Sequence, residues 1–150
     1  MPKAQVLMDI ECYKNYFLVM FYNPETDKYQ WFERTNEQEL DSETVKLILN
    51  NREIVTFNGI NYDIPVLSEA LRGRSCEDIR FVSDLIIMKD QKHWQIEKLF
   101  GENIKCDHVD LIEVAFGKSS LKIYGGRMSC KKLQDLPIEP DALLTREQMD

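Results

Sequence analysis

The 150 residues are sparing with the groups that staple or punctuate small proteins: four cysteines, two histidines, five prolines and six glycines. No CxxC pair occurs among Cys12, Cys76, Cys106 and Cys130. That argues against a disulfide framework and for free thiols in a reducing, cytoplasmic setting. Cys106 and His108 stand two apart, but a zinc site there needs two more well-placed ligands. Apolar runs are short: none approaches the roughly 18 residues of a membrane-spanning helix. Met1-Pro2-Lys3-Ala4 is not followed by the apolar stretch of a secretory signal. Positive charge is also in deficit, since 19 Lys and Arg face 26 Asp and Glu and leave a net charge of −7. That is the wrong sign for a protein that grips duplex nucleic acid by bulk attraction to phosphate. The deficit excludes less than it first suggests. Carboxylates loaded with divalent cations carry local positive charge, and an acidic module can be joined to a basic one.

What is present suits one globular domain over residues 1–150, with 43% hydrophobic and 30% charged residues. Val6-Leu7-Met8 leads into Asp9-Ile10-Glu11, an apolar run ending in acids that reads as a strand. Strands also fit Tyr16–Tyr22 and Tyr29–Glu33, separated by the turn chemistry of Asn23-Pro24-Glu25-Thr26-Asp27. These three suggest an antiparallel meander. Asp41 or Ser42 caps a helix through Val45, Leu47, Ile48 and Leu49. Glu53–Phe57 reads as a fourth strand closed by Asn58-Gly59. Helices follow at Ile64–Leu71, with Pro65 tolerated in the first turn, at Glu77–Met88 and at Trp94–Phe100. Val109–Val114 reads as a fifth strand, and a short helix through Leu121 and Tyr124 precedes Gly125-Gly126. Strands first, then strands alternating with helices, predict an α/β fold with a mixed sheet covered by helices. Trp31, Trp94 and Phe100 are expected in its core.

The chemistry lies in the acids. Asp9 and Glu11 are two apart on a strand, so both side chains point to one face. Like charges this close need a proton or a cation to offset them, and oxygen-only ligands suit Mg²⁺ or Mn²⁺. The plainer alternative leaves both acids facing solvent at a strand end. The second element is Asn58-Gly59-Ile60-Asn61-Tyr62-Asp63, an Asn-Gly turn running into an aspartate at a helix start. Taken singly, Asp63 fits a helix cap and Asn58-Gly59 a turn. About fifty residues after an Asp-x-Glu strand, the combination is far more specific.

Together these motifs resemble the 3′–5′ exonuclease (proofreading) domains of bacteriophage DNA polymerases, DEDD nucleases of the RNase H-like superfamily. Asp9-Ile10-Glu11 is similar to their first motif and Asn58 to Asp63 to their second. Val109-Asp110-Leu111-Ile112-Glu113, Ser120 to Arg127 and Leu133 to Pro137 resemble the regions that follow. The resemblance covers essentially the whole chain. It implies an RNase H-like sheet, antiparallel in its first three strands and then parallel, and hydrolysis of phosphodiester bonds at the 3′ end of single-stranded DNA. A polymerase domain in cis or in trans is the implied partner, with no membrane involved.

The implied site is catalytic and metal-binding at Asp9, Glu11 and Asp63, holding two cations about 3.5–4 Å apart. Asp9 would bridge them, Glu11 would hold the one beside the attacking water, and Asp63 would serve the other. Asn58 and Asn61 are candidate contacts to the unpaired strand. Tyr62 could stack on a base, although core packing suits it better. Lys118, Lys122, Arg127, Lys131 and Lys132 could meet phosphates or form a solvated face. The family's third motif, Tyr or His followed four residues later by Asp, is missing. Thr145-Arg146-Glu147-Gln148 has the form of a capping box announcing a helix, so the motif is expected in a continuation, and without it these 150 residues alone are expected to bind metal weakly and to show little or no turnover. Two other readings are an RNase H-like module that binds nucleic acid without catalysis and an acidic mimic of nucleic acid.

Overall fold

The computed structural model of the chain describes residues 2–114. The expected elements at 119–137, the basic stretch from Lys118 to Lys132 and the capping box at Thr145 lie outside the described residues. Those described form one five-stranded sheet in the order β3-β2-β1-β4-β5. Its strands are β1 (Gln5–Tyr13), β2 (Tyr16–Asn23), β3 (Lys28–Thr35), β4 (Glu53–Thr56) and β5 (His108–Asp110).

β1, β2 and β3 pair antiparallel, with Asp9 opposite Met20 and Met20 opposite Trp31. Tight connections make this meander. The β2–β3 turn is pinned where Asn23 Oδ1 accepts the Glu25 amide at 3.0 Å and Asp27 Oδ1 accepts the Tyr22 hydroxyl at 2.8 Å. Asp27 there takes φ +54, a left-handed conformation that Asp tolerates better than most residues. β4 then lies parallel to β1, with Leu7 beside Val55, and β5 parallel to β4, with Thr56 beside Asp110. This is the mixed sheet expected from the sequence.

Helices α1 (Ser42–Asn51), α2 (Asp63–Leu71), α3 (Cys76–Ile87) and α4 (His93–Phe100) supply the second layer. Asp41 caps α1 by accepting the Thr44 amide at 3.2 Å, and Ser75 caps α3 by accepting that of Asp78. The core joins Val6, Met8, Ile10 and Cys12 of β1 and Phe17, Val19 and Phe21 of β2 to Val45, Leu49, Val66, Leu67, Ile79, Val82 and Ile96 of the helices. α2 is buried along its whole length, as expected of a helix that is apolar nearly all round. Its mid-helix buried acid, Glu69, is paired with Arg72 and Arg74.

Three expectations need correction. β5 ends at Asp110, and Leu111–Val114 forms a short helix, α5, in place of more strand. Asp110 folds back on this segment and accepts the Ile112 amide at 3.1 Å, which turns the chain out of the sheet. Trp31 and Trp94 are not core residues, each being 58% exposed. Trp31 stands beside Met20 on the sheet face opposite Val19 and the core, whereas Phe100 does pack against the core. Among the described residues, no helix is long and apolar enough to cross a membrane.

Candidate active site

Alternation along β1 sends Val6, Met8, Ile10 and Cys12 into the helix layer and Leu7, Asp9 and Glu11 to the opposite face. Leu18, Met20 and Tyr22 of β2, Tyr29 and Trp31 of β3 and Val55 of β4 share that second face by register. Asp63 reaches the same place from a different element. It is the first residue of α2 and not its cap; the cap position is held by Tyr62, whose side chain makes no capping hydrogen bond. Asp9 and Asp63 line one cavity of about 320 Å³, walled by Leu7, Met20, Tyr22, Phe57 and Leu111.

The electrostatics record this proximity. Burial drives the Asp63 carboxyl well above the usual carboxylate range, and the charges of Asp9 and then Asp110 add to the rise. Asp9 keeps an accessible face, yet enough protein surrounds its carboxyl that desolvation raises it, against a hydrogen bond with the Ile10 backbone. Glu11 is raised by desolvation first and by Asp9 second. Glu11, Asp9, Asp63 and Asp110 thus form a chain of carboxylates, neighbours acting on neighbours. Glu11 does not line the cavity. Among the described residues no group of three or more His, Cys, Asp or Glu is drawn together tightly enough to hold a metal ion. The close pair is Asp9 and Asp63, with Glu11 beside Asp9.

The turn before α2 explains how Asp63 is delivered. Asn58 takes φ +64, and Gly59 follows so close to β4 that a Cβ there would lie 2.1 Å from Thr56 Oγ1. Three successive amides are captured. Asn58 donates to Asp110 Oδ1 at 2.7 Å, Gly59 to Thr56 Oγ1 at 3.1 Å, and Ile60 to Asp110 Oδ2 at 3.0 Å. Thr56 Oγ1 also shares a 2.6 Å hydrogen bond with His108 Nε2. Burial lowers the His108 pKa, against the charges of Asp110 and Glu113.

Of the residues considered for nucleic-acid contact, Asn58 and Asn61 line a second cavity of about 310 Å³ with Gln91 and Lys92. The Asn61 side chain is already engaged, because its Oδ1 accepts the His93 amide and lies 2.8 Å from His93 Nδ1. Tyr62 is mostly packed. Its hydroxyl shares a 2.8 Å hydrogen bond with Ser83 Oγ on α3, and its ring lies against the core.

Sequence reasoning missed Asp110, which it placed only within an expected fifth strand. The available signal was an aspartate ending an apolar strand, which can accept the amides of a neighbouring Asn-Gly turn. Thr56 carried no signal, since its role depends on how closely Gly59 approaches it.

Fold and site together define an α/β protein that presents carboxylates from a first strand and a central helix on one side of a mixed sheet. The family model RNase_H_2, of the RNase H superfamily, matches residues 6–138, and the chain belongs to that superfamily. Neither a curated protein nor a solved structure matches it.

Proposed function

We propose that the chain is a metal-dependent 3′–5′ exonuclease acting at the 3′ end of single-stranded DNA, the proofreading module of a bacteriophage-type DNA polymerase. The observation that carries this reading is the meeting of Asp9 and Asp63, from separate elements, in one cavity where the charge of Asp9 raises the proton affinity of the buried Asp63. Membership of the RNase H superfamily supports a nuclease in general terms. The motif order, Asp-x-Glu on β1 followed by Asn-Gly-x-Asn-Tyr-Asp into α2, supports the exonuclease in particular.

The donor set fits Mg²⁺ or Mn²⁺. It is all oxygen, it carries uncompensated negative charge, and such cations bind through one or two carboxylates with water filling the remaining positions. Asp9 and Asp63 are the residues to hold the cation, with Glu11 completing the set from the solvent side. When bound, the cation supplies Lewis-acid polarisation of the phosphate and a water of lowered pKa. The protein's own part is to fix the two carboxylates. Leu7, Met20 and Phe57 around them narrow the access of bulk water, which strengthens any charge interaction at the pair.

The test uses a 5′-labelled single-stranded oligonucleotide with Mn²⁺. From a protein that also carries the third motif, the expected product is a ladder that shortens from the 3′ end and is lost in Asp9→Asn. Products released from the 5′ end or from internal sites would contradict the assignment. One observation favours a second reading, an RNase H-like module that binds nucleic acid without cutting it: Glu11 stands outside the cavity, so a tight three-acid cage is not formed. Binding of Mn²⁺ and DNA without any ladder would establish that reading instead.

A further inference from the structure

Asp110 has no part in the site assigned above, yet it is among the most buried charged residues, at 4% exposure. Its carboxylate accepts three backbone amides: Asn58 at 2.7 Å, Ile60 at 3.0 Å and Ile112 at 3.1 Å. Two of these belong to the turn that delivers Asp63, and the third to α5, whose Leu111 walls the cavity holding Asp9 and Asp63. One side chain at the end of β5 therefore joins three backbone segments that border the acid pair.

We propose that Asp110 is a positioning residue: through its three-amide clamp it fixes the Asn58–Ile60 turn, and so sets where the Asp63 carboxylate stands relative to Asp9. Only a carboxylate meets this demand. It offers acceptor lone pairs on both oxygens and no hydrogen, whereas an amide side chain would turn an N–H group towards a backbone N–H. The strained start of the turn, Asn58 at φ +64, is the part most in need of such a hold, since a left-handed non-glycine residue persists only where its surroundings enforce it. Asp110 does not touch a substrate or a metal; it acts through the placement of Asp63. The inference rests on the nuclease reading for its functional consequence, while the clamp stands on geometry alone.

The test is a Mn²⁺ titration of the full chain, followed by electron paramagnetic resonance, on wild type, Asp110→Asn and Val45→Ala. The last removes core volume on α1, away from the acids, as a control for general loosening. Asp110→Asn is expected to weaken Mn²⁺ binding about tenfold, in line with losses seen when groups supporting metal ligands are changed. Val45→Ala should bind as wild type does. Hydrogen exchange on wild type needs no variant to fold: the Asn58, Ile60 and Ile112 amides should exchange as slowly as those of β4. If Asp110→Asn binds Mn²⁺ like wild type, or if the three amides exchange as those of an open turn do, the inference is overturned while the nuclease reading stands. A wild-type chain that binds no Mn²⁺ overturns the nuclease reading and takes this inference with it.

Discussion

On β1, Val6, Met8, Ile10 and Cys12 enter the helix layer, while Leu7, Asp9 and Glu11 point the other way. The same split runs through β2, where Phe17, Val19 and Phe21 are sealed and Leu18 and Met20 are only half-buried. One face of the sheet is therefore a packed interior. The other is more open among the described residues: Leu7, Tyr29 and Trp31 are exposed there, and Asp9 meets Asp63 of α2 and Leu111 of α5 in a cavity. The difference shows how a strand with a period of two can serve stability and chemistry at once, each with alternate residues and with little trade between them.

Truncating one aromatic on each face should have very unequal costs. Phe17 is fully enclosed, and Phe17→Ala should cost about 3–5 kcal/mol through lost burial and the cavity left behind. Trp31→Ala, at 58% exposure, should stay within about 1 kcal/mol despite its larger ring. Urea denaturation of both variants decides it. Equal costs would mean that the two faces are not the unlike surfaces described.

A smaller effect is expected where the faces join. Gly59 lies under the turn that carries the chain from β4 to Asp63, and a Cβ there would press on Thr56 Oγ1 and Cβ at 2.1 and 2.6 Å. Gly59→Ala should cost about 1–3 kcal/mol, as overpacking does. It should also weaken Mn²⁺ binding, because relief requires moving the turn. A variant of unchanged stability, measured by thermal unfolding, would show that the close approach is not enforced.

Much of this arrangement was legible in the sequence because it depends on short-range regularities. The apolar alternation before Asp9, the turn at Asn23 to Asp27 and the cap at Asp41 act within a few residues, and the elements appeared where these signals placed them. A mixed sheet followed from helices alternating with strands, and parallel later strands from the family resemblance, although the neighbour of β4 was not specified. Features governed by contacts distant in sequence were not legible. Trp31 has the pattern of a buried strand residue, but whether it is buried depends on which sheet face the helices choose. Asp110 lies about fifty residues from the amides it accepts, and no local pattern links them. Of the candidate site, Asp9 and Asp63 were named and are found together, whereas the looser position of Glu11 turns on a side-chain placement that spacing does not encode.

The charged pair allows the comparison to be sharpened with pH. The folded-state pKa of Asp63 lies above its unfolded value, through burial first and the charges of Asp9 and Asp110 next. The folded state thus holds that proton more tightly than the unfolded chain does. The stabilising contribution is complete below the unfolded carboxylate range, about pH 4, and is lost as pH rises through the folded value. Asp63→Asn, which mimics the protonated acid, should therefore be more stable than wild type by about 1 kcal/mol at pH 7 without metal, as is common when a strained functional group is replaced. The two should converge near pH 4. Added Mn²⁺ should stabilise wild type and not the variant. A variant less stable than wild type at pH 7 in chelator would contradict the shift.

The smallest effect concerns a thiol on the sealed face. Cys12 continues the inward series of β1, and burial, partly offset by the Arg80 guanidinium, raises its pKa to about 12. Arg80 lies on α3, and its Nη1 donates to the Cys12 carbonyl at 2.8 Å, which closes the helix layer over that end of the strand. Two conditions for reactivity are then missing at once, since a thiolate and access are both required. Under native conditions at pH 8, a thiol reagent followed by peptide mapping should leave Cys12 unlabelled while half-buried Cys106 reacts. Labelling of Cys12 should appear only in denaturant, at the rate at which the sheet opens. Because the substitution of Cys12 by Ser would itself disturb the interior, labelling of the unaltered chain is the cleaner probe. Fast modification of Cys12 at neutral stability would mean that water reaches the helix-covered face of β1 as readily as it reaches Asp9.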